Sequence, residues 1–364
     1  MSEVSGRILT PGGWVSGRLR IEADKVAALE PARAGERHVL PGFIDLHVHG
    51  GAGGDCMSGE EGARTAARFH AGHGTTRMLL ATVTAPLEDL KAALDGIHAV
   101  MTKPGAGEAR VAGVHLEGPF ISPDRLGAQP PYPLDPDPAV MEELMAHASI
   151  QVITLAPERP GALEFIRFLR SRGVRPQIGH TVATAAETLA GLEAGVRSFT
   201  HLYNAMSGLH HRRPGVVGAA LAEASWAEII ADGRHVDPLA VRAAMRAIPN
   251  LYVVTDAVAA AGMPEGAYRL GRYTVYKKAD GVFLEDGTLA GSALTMDRAL
   301  RNLVDWGFDL AEAARRVSTL PARYMGWADL GVIQSGAQAD LVVLDTDLQV
   351  EEVYVAGKRV FARG

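Results

Sequence analysis

A chain of 364 residues that is 47% hydrophobic has ample material for a large core, and its length suits two domains or one barrel-sized domain with an appendage. A formal net charge of -6 and a pI near 6.1 give no broad cationic field, which excludes nucleic acid as an expected partner but leaves room for a local anion site. The first twenty residues lack a signal-peptide core, no later run reaches the ~20 apolar residues of a membrane span, and a single Cys56 rules out a disulfide framework or a Cys-built zinc site, so the expected location is the cytoplasm, away from membranes.

Short β-like runs broken by Gly and Pro open the chain at residues 7–10, 17–21 and 25–29, and similar runs close it at 339–345 and 350–360. These ends are expected to pair, with residues 1–40 and 336–364 forming a small β-sandwich. Between them, over residues 41–335, eight apolar strand candidates are each followed by a helix-like Ala/Leu/Glu/Arg run. They are Phe43–His47, Thr76–Thr82, Val111–Leu116, Ile150–Leu155, Pro176–Gly179, Arg197–Thr200, Ala227–Ile230 and Leu251–Thr255. This repeat predicts an α/β fold, a (β/α)8 TIM-like barrel whose strand C-termini carry the active site. A doubly wound sheet is the alternative, but the glycine fingerprint of its first crossover is absent. Beyond the eighth strand, Tyr273-Thr274-Val275-Tyr276 and Val282-Phe283-Leu284-Glu285 read as a hairpin inserted near residues 272–290 over the barrel mouth.

The strand ends deliver metal-type donors. The first gives His47 and His49, two residues apart and so on one face of extended chain, followed by the glycines of Gly50-Gly51-Ala52-Gly53-Gly54, which permit close backbone approach. The third gives Glu117, the fifth His180, the sixth His201 and the eighth Asp256. Each alone has an ordinary structural explanation, as a cap or a satisfied core residue. Their joint placement on one rim points to a metal site. Nitrogen and carboxylate ligands without thiolate suit zinc or iron(II), with one or two ions per subunit and two favoured by the His-x-His pair. Such an ion lowers the pKa of water to about 7, and Asp256 is placed to act as base and then acid in amide hydrolysis. Cys56 lies near this motif but reads as a buried, incidental thiol. A second cluster, with His210, His211, Arg212, Arg213 and His235, suggests a phosphate-type anion pocket in an otherwise acidic protein.

With these residues in view, a resemblance emerges. Pro-Gly-Phe-Ile-Asp-x-His-x-His-Gly at 41–50 is similar to the opening of the amidohydrolase superfamily. His115-Leu116-Glu117-Gly118-Pro119-Phe120, Ile178-Gly179-His180-Thr181, His201-Leu202-Tyr203-Asn204-Ala205-Met206, Ala231-Asp232-Gly233-Arg234-His235, Val254-Thr255-Asp256-Ala257 and Leu289-Ala290-Gly291-Ser292-Ala293 resemble its N-acetylglucosamine-6-phosphate deacetylase family. The resemblance implies hydrolysis of N-acetyl-D-glucosamine 6-phosphate to D-glucosamine 6-phosphate and acetate. It assigns Glu117, His180 and His201 to the common metal site, His47 and His49 to a second ion, and Asp256 to proton transfer. It also places Ala128, Gln129, Asn204, Ala205, Arg212, His235, Leu289, Ala290 and Gly291 at the substrate, with Arg212 and His235 on the sugar phosphate. A homodimer is implied, with part of the phosphate site open to either subunit. One departure stands out: where the family usually reads Gly-Ala-His, this chain has Gly127-Ala128-Gln129, replacing an ionisable group by an amide with one neutral hydrogen bond to offer. The rival expectations are the galacto epimer as substrate, a cyclic-amide hydrolase or deaminase on the same barrel, and a non-catalytic scaffold.

Overall fold

The computed structural model describes residues 2–279 and 281–364. All eight anticipated strands form, at Phe43–Val48, Thr75–Thr82, Arg110–Glu117, Ile150–Leu155, Arg175–Ile178, Ser198–Phe199, Trp226–Ile230 and Asn250–Val254. The first six pair in parallel in chain order, and the last two pair with each other. Backbone hydrogen bonds complete the ring. Leu202 N–H donates to Glu228 O at 2.9 Å between the sixth and seventh strands, and Asp256 N–H donates to His47 O at 2.9 Å between the eighth and first. The result is the (β/α)8 barrel that the alternation of apolar runs and helix formers implied.

The apolar strand residues are buried from both sides, by helices outside and by one another within, which is why these segments read as near-continuous hydrophobic runs. Helix starts follow the expected chemistry: Asp137, Asp237 and Asp309 each cap a helix by accepting a backbone N–H two residues on, and Thr184 with Glu187 forms a reciprocal capping box.

The chain ends do pair. Seven strands join in one sheet, ordered so that His38–Pro41 lies between Ser2–Thr10 and Leu341–Leu344. Alternate residues Val4, Ile8, Leu19, Ile21, Val39, Leu341 and Val343 share a separate core, and the sheet folds back far enough that a Cβ on Gly357 would lie 2.2 Å from Ala23 O at its other end. Arg77 fastens this layer to the barrel, donating to Gln338 Oε1 at 2.6 Å and lying 3.4 Å from Asp340 Oδ2.

Over the barrel mouth lie three antiparallel strands, Gly266–Leu270, Tyr273–Lys278 and Gly281–Phe283. The anticipated hairpin is therefore preceded by one more strand, and Asp280 is outside the described residues. Leu270, Val275 and Val282 pack on Val83, Val258 and Ala290, so the roof has its own small core. Among the described residues no helix is long and apolar enough to cross a membrane.

Candidate active site

Every candidate donor sits at a strand's C-terminal end. His47 and Glu117 lie within the first and third strands, whereas His180, His201 and Asp256 each lie two residues beyond theirs. At those three the backbone turns into the left-handed region, with φ of 48°, 28° and 52°. Such conformations cost on the order of 1–3 kcal/mol each in non-glycine residues, and here they swing the side chains inward over the barrel axis. Gly50 permits the first loop to lie against the eighth: a Cβ there would be 2.3 Å from Gly54 O and 2.7 Å from Ala259 N.

Two groups of donors result. Glu117 Oε1 lies 3.1 Å from His180 Nε2 and 2.9 Å from His201 Nε2, and those two nitrogens are 3.1 Å apart. Beside them His47 Nε2 and His49 Nε2 are 3.1 Å apart, with Asp256 Oδ1 3.2 Å from His49. Glu117 spans both groups, its other oxygen standing 3.2 Å from His49 Nε2. All six side chains are buried or nearly so.

The protonation pattern fits a cation. His180 Nδ1 is 2.9 Å from Arg125 O and His47 Nδ1 is 3.2 Å from Glu228 Oε2, so each ring in its neutral form donates there and presents an Nε2 lone pair to the cluster. Lone pairs facing one another at 3.1 Å repel unless a proton or metal ion sits between them. Burial opposes charge on His49, yet Asp256 and Glu117 raise it to about 9. Burial also opposes charge on Glu117 and Asp256, but the surrounding histidines hold Glu117 well below the carboxylate range and Asp256 at about 2. A nitrogen and carboxylate set of this kind, closed in space and without sulfur, is one that zinc or iron(II) accepts.

A cavity of about 310 Å³ opens above the cluster. His49, Glu117, His180, His201 and Asp256 form its floor, and Ala128, Gln129, Asn204, Ala205, His235, Leu289 and Gly291 line its walls. Three anticipated residues do not reach it. His47 lies beneath His49, Ala290 is buried in the roof core, and Arg212 is exposed, its guanidinium 3.0 Å from His211 Nε2. Within one chain, then, Arg212 is not assembled with the others. His235 Nδ1 is tied to Asp232 Oδ2 at 2.6 Å, and Asp232 raises its pKa against the opposing effect of burial.

The chain matches the amidohydrolase family over residues 38–360. The chain belongs to the amidohydrolase family. Within it, the chain is 40% identical to the N-acetylgalactosamine-6-phosphate deacetylase of Escherichia coli O157:H7 over 97% of both chains. It is 38% identical to the N-acetylglucosamine-6-phosphate deacetylase of Vibrio furnissii over 89% of this chain and 83% of that one. Among solved structures, the N-acetyl-D-glucosamine-6-phosphate deacetylase of Mycobacterium smegmatis, a mutant in complex with N-acetyl-D-glucosamine 6-phosphate, superposes with a TM-score of 0.92 at 35% identity, covering 98% of each chain. The Thermotoga maritima enzyme gives 0.92 at 32% identity over the full length of both.

Several parts of this amidohydrolase site were not legible beforehand. Glu228, fully buried under His47, sits as a lone acid in the apolar run Trp226–Ile230 and reads there as an outward-facing strand residue. Asp45 accepts from His47 N–H at 3.3 Å and from Thr255 Oγ1–H at 2.6 Å, joining the first and eighth strands below the donors; burial lifts its pKa to about 7. Arg125, in the loop after the third strand, lines the cavity as an added cation. Gln129 is committed at both ends of its amide, its oxygen accepting from Thr84 N–H at 2.6 Å and its nitrogen donating to Glu117 Oε2 at 2.5 Å. Cys56 is buried, its thiol 3.6 Å from Val48 O and pushed up by burial, as expected of an inert group.

Proposed function

We propose that this amidohydrolase removes the acetyl group from N-acetyl-D-glucosamine 6-phosphate, giving D-glucosamine 6-phosphate and acetate. The observation that carries the reading is the convergence of Glu117, His180 and His201 within 4.8 Å of one another, beside Asp256 on the floor of a cavity sized for a small ligand. Glu117, His180 and His201 would hold one divalent ion, zinc or iron(II), and His47 with His49 would hold a second, with Glu117 reaching both. An ion bound there supplies Lewis acidity and brings the pKa of water toward about 7. Asp256 takes the proton of the attacking water and delivers it to the departing nitrogen, so one carboxylate serves both halves of the hydrolysis. Because the Gln129 amide is occupied by Thr84 and Glu117, its role is to orient Glu117.

Ala128, Asn204, Ala205, Leu289 and Gly291 form the walls against the sugar, backed by Ala290. Arg125 and His235, whose charge burial opposes but Asp232 favours, supply positive charge for the phosphate. Arg212 joins them across a homodimer interface, its exposed loop reaching a second copy of the chain. The enzyme works in the cytoplasm. Elemental analysis beside an acetate-release assay tests the reading: at least one divalent ion per chain and acetate release are expected, and a metal-free protein without turnover would overturn it.

A second reading is favoured by one observation, the 40% identity to an N-acetylgalactosamine-6-phosphate deacetylase over 97% of the chain. Comparing kcat/KM on the two epimers decides between them; a higher value on the galacto compound would transfer the assignment.

A further inference from the structure

Under the donor cluster lies a carboxylate to which the proposed chemistry gives no part. Glu228 is fully buried, and among the described residues no Lys or Arg side chain is paired with it. Its Oε2 accepts from His47 Nδ1–H at 3.2 Å and stands 3.4 Å from His201 N. Its Oε1 accepts from Tyr252 O–H at 3.2 Å, and the Tyr252 oxygen in turn accepts from Gln177 Nε2–H at 3.0 Å. A carboxylate so deep in a barrel interior carries a desolvation cost, and the groups that offset it are these few donors.

Their arrangement has a directional effect. A neutral imidazole carries a single N–H, and Glu228 claims it at Nδ1, leaving the Nε2 lone pair of His47 aimed at the cluster. There it stands 3.1 Å from His49 Nε2, 3.5 Å from Glu117 Oε1 and 3.6 Å from Asp256 Oδ1. His49 has no such support, since its Nδ1 is buried without a partner. The neighbouring group has its own ring and carboxylate supports, His180 Nδ1–H on Arg125 O and Gln129 on Glu117, and the Glu228 carboxylate meets it only at the His201 backbone N–H, not at a ligating ring nitrogen. His115 also approaches Glu228, at 3.9 Å, but its own ring nitrogens lie 3.1 Å from Leu46 O and 2.8 Å from Thr154 Oγ1.

We infer that Glu228 is a positioning residue that fixes His47 as an Nε2 donor and thereby determines whether a second divalent ion is retained beside the first. The inference rests on the two-ion form of the proposed function. It goes beyond that form in assigning occupancy of the outer position to a side chain that touches neither substrate nor ion.

The test measures zinc rather than turnover. Apo wild type, Glu228→Gln and Glu228→Ala are dialysed against graded zinc and analysed for zinc per chain, with thermal unfolding of each apo protein as a check on folding. Wild type is expected to take two ions. Both variants should keep the first ion with wild-type affinity while binding the second roughly 10–100-fold more weakly, as loss of an outer-shell partner does elsewhere. Gln fills the same volume but, being able to donate as well as accept, no longer forces the proton onto Nδ1. In zinc-loaded wild type, long-range 1H–15N correlation of histidine-labelled protein should show His47 protonated at Nδ1. A folded Glu228→Gln that holds two ions with wild-type affinity overturns the inference, as does a His47 protonated at Nε2. Wild type that binds only one zinc overturns it too but leaves the deacetylase reading standing, whereas wild type that binds none sinks both.

Discussion

Asp256 is tied into the site through backbone as well as side chain. Its N–H donates to His47 O at 2.9 Å and its carbonyl accepts from Ser292 N–H at 2.8 Å, so the carboxylate is held by both neighbouring segments rather than by the donors it faces. On the role proposed for Asp256, replacement by Asn should therefore leave metal content unchanged while kcat falls by about 10²–10⁴-fold, the span usual for loss of a general acid and base; metal analysis beside steady-state kinetics measures both. Gln129→Ala makes a different case. It strands the buried Thr84 N–H and frees Glu117 Oε2, and a buried donor without a partner costs about 1–3 kcal/mol, which chemical denaturation would register. The residues at this scale that could be named beforehand are those whose type is costly to bury: His47, His49, Glu117, His180, His201 and Asp256 each fall at, or one or two residues past, the end of a predicted strand. Glu228 and Asp45 escaped because a single acid inside an apolar run looks like a solvent-facing strand position. Only closure of the barrel turns it inward.

Among the elements, the helix Met296–Asp305 provides the clearest electrostatic prediction. In its first turn Asp297 lies 3.2 Å from His73 Nδ1 and 3.1 Å from Arg301 Nη1, linking this helix to the end of Glu60–Gly72. Burial favours the neutral acid, but His73, Thr295 and Arg301 outweigh it and bring Asp297 down to about 2 from the ordinary 3.8. Because the folded pKa lies below the unfolded one, the stabilisation is complete above about pH 4 and is lost as pH falls through 2. Its size is about 2 kcal/mol. Asp297→Asn should therefore lower unfolding free energy by about that amount at pH 7 and flatten its decline between pH 4 and 2, as urea titrations at each pH would show. The barrel strands themselves were readable to within one or two residues, since burial on both faces writes itself as a short apolar run. The roof strand Gly266–Leu270 was not readable, because most of its side chains are exposed and its register comes from Tyr273–Lys278.

For the whole molecule, two junctions matter. Arg77 connects the second barrel strand to Gln338 and Asp340 of the terminal layer, and Asp340 itself is buried. Arg77→Ala leaves that carboxylate without its cation and is expected to cost about 3–5 kcal/mol, seen as a fall in thermal midpoint. The other is the junction proposed between two copies of the chain. Arg212 stands outside its own cavity, so if it completes a neighbour's site, mixing inactive Asp256→Asn with Arg212→Ala should restore turnover at low substrate, through dimers in which one site is intact. Mixtures no more active than their parents would confine Arg212 to its own chain. Nothing in the spacing of residues 207–214 distinguishes these arrangements, since reach across an interface leaves no mark on one sequence.

The placement of His38–Pro41 between Ser2–Thr10 and Leu341–Leu344 carries a cost during synthesis. The ribosome makes one side of that pairing about 300 residues before the other. At about 5–20 residues per second, the open margin of the early strands stays without its partner for some tens of seconds, as the barrel forms behind it. A nascent chain of this kind is exposed to edge-on association with its neighbours while the intervening residues are made, and its yield should depend on whatever shields that margin until Leu341–Leu344 emerges.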